Sequence, residues 1–397
     1  MLIRNWLFSG LLMSLLANSA VAVSSTVESK PQRANLIDAM QHYHKGDFAS
    51  SYDYLHELMR LGNGQASAQL GMMTLAEEGV SYDPVLAWAY FELAGQLNYP
   101  DGSPLAEEVY TQLDVGQQQA TLEALAKLKS QLIITHSHAA WYSHSGQMIS
   151  APVIAKRTQP RYPRRALTRG QAGVVQMLLL IDTDGSVALA HPYFYSHPEF
   201  KRTAERYITQ WRYEPTDLPR KTTLNLDFSM STQGEDARAP YLQVVNDSLW
   251  EGAVLGNPFS QTALSVFLGF VTPAEQAKLA DASLLANQPP TIRKFNDYAE
   301  QGVFPIDWTG NYWLIRAAQA GDPTAQLTLA FRHDEWRDYL ISKNDDYVKA
   351  WAAVDILSQP PEFHAMGLEL LAQLQDSESE LIQSILAVIT PFYDRDA

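Results

Sequence analysis

Residues 173–185 read GVVQMLLLIDTDG, a nearly unbroken apolar run that ends at Asp182 and is followed by the pair Asp184-Gly185. A short apolar run bounded by turn residues favours a β-strand. The Asp-Gly pair is typical of a tight turn, because glycine adopts positive φ at no steric cost. Residues 186–195 can then return as a second strand, so the pattern predicts a β-hairpin.

Two further elements follow the hairpin. Residues 199–211 place Phe200, Ala204 and Ile208 at helical spacing. Residues 221–230 alternate apolar and polar side chains, as a half-exposed strand does. The predicted order of elements is therefore β-β-α-β.

The charge distribution marks the same segment as a distinct module. Residues 152–232 contain 12 Lys and Arg against 7 Asp and Glu, whereas the whole chain of 397 residues carries a net charge of -15. The acidic balance argues against a nucleic-acid partner, since phosphate backbones are bound by cationic surfaces.

Helical patterns occupy both sides of this module. Asp47 precedes an apolar stripe at helical spacing, and Asp83-Pro84 has the cap and first-turn residues of a helix start. The fold class that follows is α+β, with a small β-β-α-β domain between two all-α segments. The expected boundaries are a helical domain at 31–134, a linker at 135–151, the small domain at 152–232, a linker at 233–240 and a helical domain at 241–397.

The two helical segments share short motifs. Ala68-Gln69-Leu70 recurs at residues 325–327, and Asp83-x-Val85-x-Ala87-Trp88-Ala89 recurs at residues 346–352. These residues resemble the Sel-one-like subclass of tetratricopeptide-type helical repeats. Such repeats bury their faces against their neighbours, and the resemblance implies a surface for a second protein. An ordinary helical bundle with a chance match is the alternative.

The N-terminus has the pattern of an export signal. Arg4 precedes a short apolar core at residues 6–17, and Ala20-Val21-Ala22 is a small-x-small cleavage site. We expect residues 1–22 to be a cleaved signal peptide and the product to be periplasmic. The alternative is an uncleaved inner-membrane anchor. The chain has no cysteine, which excludes disulfides and a lipoprotein anchor.

An ordered set of residues in the central module resembles one family. The residues are Gln159-Pro160-x-Tyr162-Pro163 with Ala166, Gly170-x-x-Gly173-x-Val175, Ile181-Asp182-x-Asp184-Gly185, Ser196, Phe200, Ala204 and Trp211-Arg212-Tyr213-x-Pro215. Together they are similar to the C-terminal domain of TonB, the periplasmic energy transducer of Gram-negative bacteria.

The resemblance implies a binding function. Family domains bind a short extended segment, the TonB box of outer-membrane transporters, as a strand beside their last strand. The expected partner is thus an outer-membrane transporter or another envelope protein. The alternative for the Tyr-Pro segment is rigid packing. The implied partner-binding residues are Gln159, Pro160, Tyr162, Pro163, Thr223, Leu224, Asn225, Leu226, Asp227, Phe228 and Ser229.

Three departures from TonB leave the mechanism open. The chain has no long Pro-rich spacer, its N-terminal segment lacks TonB's Ser-His pattern, and a long helical segment follows the module. One hypothesis is a periplasmic binding adaptor. The alternative is an anchored energy transducer driven by an inner-membrane motor complex, and an envelope enzyme or cell-wall scaffold is a third.

No motif for catalysis stands out in the sequence. The chain has no phosphate-binding loop, nucleophile elbow or dinucleotide fingerprint. His136, His138 and His144 are the best metal candidates, but they have no carboxylate pattern beside them. We therefore expect no enzymatic activity, no cofactor and no metal site.

Overall fold

The computed structural model describes residues 33–134, 152–228, 249–269, 310–358 and 361–393. These residues belong to two compact units. The first unit contains residues 33–134, 249–269 and 310–326, and the second contains residues 152–228 and the described residues from 327 onwards. The segments expected to be a signal peptide and linkers (1–22, 135–151 and 233–240) lie outside the described residues.

Helices dominate the chain, and a small antiparallel sheet lies in the second unit, which confirms the predicted α+β class. The predicted domain boundaries stay a prediction. In chain order the elements are α1 (Leu36–His44), α2 (Phe48–Arg60), α3 (Gly64–Ala76), α4 (Pro84–Gln96), α5 (Gly102–Tyr110), α6 (Val115–Lys129), β1 (Ile154–Lys156), α7 (Arg164–Thr168), β2 (Gly173–Ile181), β3 (Val187–Tyr195), α8 (Pro198–Ile208), β4 (Arg212–Tyr213), β5 (Arg220–Phe228), α9 (Trp250–Val254), α10 (Pro258–Leu268), α11 (Gly310–Gln319), α12 (Pro323–Ala330), α13 (Asp334–Ser342), α14 (Asp346–Leu357), a 3-10 turn (Pro361–Phe363), α15 (His364–Ala372) and α16 (Glu380–Tyr393).

Five helix-to-helix junctions share one geometry. A residue with positive φ ends one helix, and the Asn or Asp after it caps the next helix by accepting the N–H three residues further on. At one of them, the Gly62 N–H donates to Met59 O and the Asn63 N–H to Leu58 O, which satisfies carbonyls that the helix end leaves open. The junctions are Gly46-Asp47, Gly62-Asn63, Gly256-Asn257, Gly321-Asp322 and Asn344-Asp345.

The predicted helix caps are confirmed at Asp47 and Asp83. The second motif copy differs, because its capping residue is Asp345 and Asp346 is the first helical residue. Asp345 accepts the N–H of Val348, so this helix begins one residue earlier than its counterpart. Helical segments thus precede and follow the strands of the sheet in the sequence.

The first unit joins distant parts of the chain. The Leu36 N–H donates to Ala320 O at 2.9 Å, and Asn63 Nδ2 donates to Gln319 O at 3.1 Å across 256 residues of sequence. A Cβ on Gly321 would lie 2.2 Å from Ala34 O, so only glycine permits this approach. Helix α11 therefore packs with the N-terminal helices in one body.

The second unit contains a three-stranded antiparallel sheet in the order β3-β2-β5. The predicted strands are confirmed, and the predicted helix forms over Pro198–Ile208. It ends before Trp211, whose fully buried ring joins the core while Nε1 donates to Thr158 O at 2.8 Å. Strands β1 and β4 pair separately and are too short for a sequence pattern to reveal.

Asp322 is a buried helix cap, with only 2% of its surface exposed. Burial raises its pKa from 3.8 to about 6, although the N–H of Ala325 favours the charged form. In the unfolded chain this carboxyl ionises near its ordinary value. Folding therefore becomes less favourable as pH rises from about 4 to about 6, and the full cost remains above that window.

We expect Asp322→Asn to raise the free energy of unfolding at pH 8 by up to about 3 kcal/mol, since each pKa unit corresponds to about 1.4 kcal/mol. Asparagine keeps the cap and removes the buried charge. Urea unfolding of the helices at pH 5 and pH 8 measures the effect. The same change at the exposed cap, Asp47→Asn, should give no gain at pH 8. An Asp322→Asn effect that is equal at both pH values contradicts the assignment.

Candidate functional site

Strand β5 forms one edge of the sheet. It pairs with β2 along its whole length, and no strand among the described residues pairs with its outer side. Leu226 and Phe228 are buried in the core, whereas Thr223 and Asn225 are exposed. The last predicted strand therefore lies at an edge of the sheet that the described residues form.

The direction of the backbone groups on β5 follows from β2. The Val174 N–H and C=O bond to Ser196, and the Asp182 N–H donates to Ser186 O, so both residues direct their backbone groups towards β3. Backbone direction alternates along a strand, so the odd-numbered residues of β2 bond to β5. Their partners are the even-numbered residues of β5. The backbone groups of Thr223 and Asn225 consequently point to the outer edge.

Tyr162 ties the Tyr-Pro segment to the end of β5. Its ring packs edge-on against Phe200 at 5.8 Å and Phe228 at 6.1 Å between ring centroids. Its hydroxyl donates to Gln171 O and lies 3.2 Å from Phe228 O. Burial raises the pKa of Tyr162, and the nearby Asp227 carboxylate adds to this. Tyr162 thus remains a neutral hydrogen-bond donor at neutral pH.

The other predicted binding residues divide into two groups. Gln159 is exposed and Pro160 and Pro163 are half-buried, in the segment that leads into α7. Leu224 is half-buried against the core and Asp227 is exposed. Ser229 lies outside the described residues. The structure brings Tyr162 to Phe228, and so joins the two groups at one end of β5.

Helix α8 covers the first face of the sheet. Odd-numbered residues of β2 point to this face and form the core with α8, Ala166 and Trp211. A Cβ on Gly173 would lie 2.2 Å from the Phe200 ring, so the glycine lets the helix approach the start of β2. The members of this core are Ala166, Val175, Met177, Leu179, Ile181, Tyr195, Phe200, Ala204, Ile208, Trp211, Tyr213, Leu226 and Phe228.

The second face of the sheet is also covered. Directly opposed residues of neighbouring strands share a face, so His191 and Lys221 lie with Leu178 and Leu180. Leu178 and Leu180 are fully buried. The sequence pattern of β2 indicates this burial, because an unbroken apolar strand is typical of a strand that is buried on both faces.

Residues of the C-terminal helical segment provide this cover. Tyr347 packs against His191 at 5.3 Å between ring centroids, and Phe331 packs against Tyr193 at 6.3 Å. Lys221 lies over the Phe331 ring at 4.6 Å. Burial lowers the pKa of His191 to about 4 and raises that of Tyr193 to about 12, so both are neutral at pH 7.

Polar contacts join the first residues of β5 to α14. Lys221 forms a salt bridge with Asp355, and Arg220 Nη1 donates to Ser358 O at 3.2 Å. These polar contacts with α14 therefore involve the first two residues of β5, whereas Thr223 and Asn225 further along the strand are exposed. Sequence reasoning missed Lys221 and Asp355, because their pairing joins residues 134 positions apart.

The sequence of this site matches a known family. Residues 158–230 match the model of the Gram-negative bacterial TonB protein C-terminal. The matched segment includes Tyr162, the hairpin, α8 and β5, and we refer to it as the TonB-like domain. It supports a role in protein interaction within the Gram-negative envelope. A comparison with curated proteins finds no match.

Two other features bear on function. Within the described ranges, no group of three or more metal-ligating side chains is suitably placed to hold an ion, and His42 pairs with Asp47 at 2.8 Å. The candidates His136, His138 and His144 lie outside the described residues. The part of the chain that the structure describes also has no helix with the length and apolarity of a membrane span.

Truncating the two faces of β2 should have equal consequences. We expect Leu178→Ala to cost about as much free energy of unfolding as Leu179→Ala, about 2–5 kcal/mol each, because both side chains are fully buried. Hydrogen exchange of the amides in β2 measures this cost for the second unit. If Leu178→Ala costs less than about 1 kcal/mol while Leu179→Ala costs the full amount, the C-terminal segment does not cover the second face in solution.

Proposed function

We propose that the TonB-like domain binds an extended segment of a Gram-negative envelope protein as an additional strand along the outer edge of β5. The observation that supports this most directly is the position of β5. It is an edge strand whose Thr223 and Asn225 direct their backbone groups away from β2. The resemblance to TonB suggests the N-terminal segment of an outer-membrane transporter as the partner.

The backbone contribution to binding is modest. Thr223 and Asn225 offer four backbone groups, each worth about 0.5–1.5 kcal/mol net in a new hydrogen bond. Ordering the bound segment costs about 1–2 kcal/mol per residue in backbone entropy. Backbone pairing is therefore close to break-even, and side-chain contacts must supply the remaining affinity. We expect a dissociation constant in the micromolar range or higher, which corresponds to a binding free energy of about -8 kcal/mol at best.

The edge has an apolar side that can supply those contacts. Leu224 and Tyr162 are only partly buried, and both pack against the core on the first face. Alternate side chains of an added strand point to this face. A segment with apolar residues at alternate positions therefore fits β5 better than a uniformly polar one. Gln159 is exposed and precedes Tyr162 by three positions, and we expect it to contact the end of such a segment.

The helical segments complete the proposal as a scaffold for a second protein. Motifs that resemble Sel-one-like repeats and the shared two-residue junctions support stacked helix pairs. In this view the chain is a non-enzymatic periplasmic adaptor that links two envelope partners. The repeat type and the second partner rest on the resemblance.

Asn225→Pro should abolish binding of transporter-derived peptides. Proline removes the outward N–H without removing a bond to β2, which Asn225 does not make in the register above. Asn225→Ala is the matched control, because it shortens the same side chain and keeps the N–H, and its affinity should stay within about threefold of the wild type. Peptide titration by calorimetry or fluorescence anisotropy measures both.

The fold of each variant is checked by circular dichroism. A folded Asn225→Pro protein that binds as tightly as Asn225→Ala rules out strand addition at β5. Tyr162→Phe adds a second test, because it removes only the hydroxyl near Phe228 O. Weakened binding by this variant would show that the Tyr162 hydroxyl, which contacts Gln171 O and Phe228 O, contributes to binding.

N-terminal sequencing of the protein from the periplasm distinguishes the adaptor from an anchored transducer. We expect the chain to start at Val23, after the small-x-small pattern at residues 20–22. Recovery of the Met1 chain from washed inner membranes would instead favour the energy transducer. A motor complex is expected as a partner only in that second case.

A further inference from the structure

The second unit has an exposed strip of positive charge that peptide binding at β5 does not use. The segment from residue 152 to residue 170 has six basic side chains and no acidic one, and all six are exposed. Among the described residues, no carboxylate forms an ion pair with any of them. The six are Lys156, Arg157, Arg161, Arg164, Arg165 and Arg169, and we call them the basic strip.

The strip lies on the first-face side of the sheet. Ala166 of α7 belongs to the same core as the inward residues of α8. The Arg157 guanidinium stacks on the Trp211 ring of that core at 5.2 Å. Arg202 and Arg206 are exposed on α8, which covers the same face. Residues 152–214 together contain ten Lys and Arg against five Asp and Glu.

The opposite side of this unit is acidic. The C-terminal segment, which covers the second face, contains 11 Asp and Glu against four Lys and Arg over residues 327–393. The two sides of one sheet therefore have opposite charge. An extended anionic surface would attract the first-face side and repel the other, so it would both bind and orient this unit.

Apolar side chains lie among these cations. Val153 is 63% exposed, Leu167 53% and Ile154 41%. Leu167 follows Arg164 by three positions on α7, so the two occupy one side of that helix turn. Basic residues next to exposed apolar ones are typical of surfaces that rest in a lipid interface, where headgroups take the charge and the acyl boundary takes the apolar groups. An acidic peptide would satisfy only the charge.

We propose that the basic strip docks the TonB-like domain on the surface of a bilayer that contains anionic phospholipid. Leu167 and Val153 enter the interface and the arginines contact phosphate groups. The acidic C-terminal segment faces away from the bilayer. The docking uses the six basic side chains, none of which is a proposed contact for the strand added at β5.

The test uses the chain from Val23 to Ala397, without the apolar core at residues 6–17, and vesicles of phosphatidylcholine with or without about 30% phosphatidylglycerol in a co-sedimentation assay. Neutralising a basic residue near such a surface lowers partitioning about fivefold, so Arg164→Gln, Arg165→Gln and Arg169→Gln together should lower it about 100-fold. The matched control removes the same charge from exposed positions of the first unit, through Lys45→Gln, Lys127→Gln and Lys129→Gln. The charge-conserving variant with Arg164→Lys, Arg165→Lys and Arg169→Lys should retain binding.

Selective loss in the arginine variant, together with loss of wild-type binding at about 0.5 M salt, supports the proposal. Equal binding by the variant with Arg164→Gln, Arg165→Gln and Arg169→Gln and by the control with Lys45→Gln, Lys127→Gln and Lys129→Gln overturns it. Wild-type binding to neutral vesicles that equals binding to anionic ones also overturns it, because charge then plays no part. Binding to polyglutamate without binding to anionic vesicles would assign the strip to an acidic protein segment. Circular dichroism confirms the fold, and titration of a transporter peptide at β5 reports separately on the proposed function.

Discussion

Burial of β2 on both faces is the constraint on which the second unit depends. All nine residues of the strand are buried, and it pairs with β3 on one side and β5 on the other. Its regular pairing with β5 fixes which backbone groups of β5 point outward. Helix α8 packs against one apolar face of the sheet at this strand, and the C-terminal segment packs against the other. The register of β5, and with it the direction of its outer backbone groups, is therefore fixed by a strand that is enclosed on both faces.

Sequence reasoning predicted the local structure of this unit well. The apolar run before Asp184-Gly185, the helical spacing through Phe200 and the alternation along β5 each depend on neighbouring residues. The pairing of β1 with β4 was not predictable, because two- and three-residue strands have no period. Closure of the first unit through Ala320 was also not predictable, since nothing near either end of that contact marks the other.

The second face of the sheet could be predicted only in part from the sequence. Leu178 and Leu180 gave a local signal of burial, but the segment that covers them lies more than a hundred residues further along the chain. At the proposed binding site, the resemblance to TonB suggested both the Tyr-Pro segment and the last strand. Only the structure shows that Tyr162 joins them through Phe228. Tyr162 is consequently a packing residue as well as a candidate contact for the partner.

The order in which the two units use the chain has a consequence for biogenesis. The described part of the first unit consists of residues 33–134, 249–269 and 310–326, and that of the second consists of residues 152–228, 327–358 and 361–393. During synthesis the chain emerges from its N-terminus. Neither unit can therefore complete its core until most of the polypeptide has appeared, and the apolar second face of the sheet stays uncovered until the last helices arrive. A chain with this order of segments therefore exposes apolar surface for longer during synthesis than one built from consecutive domains.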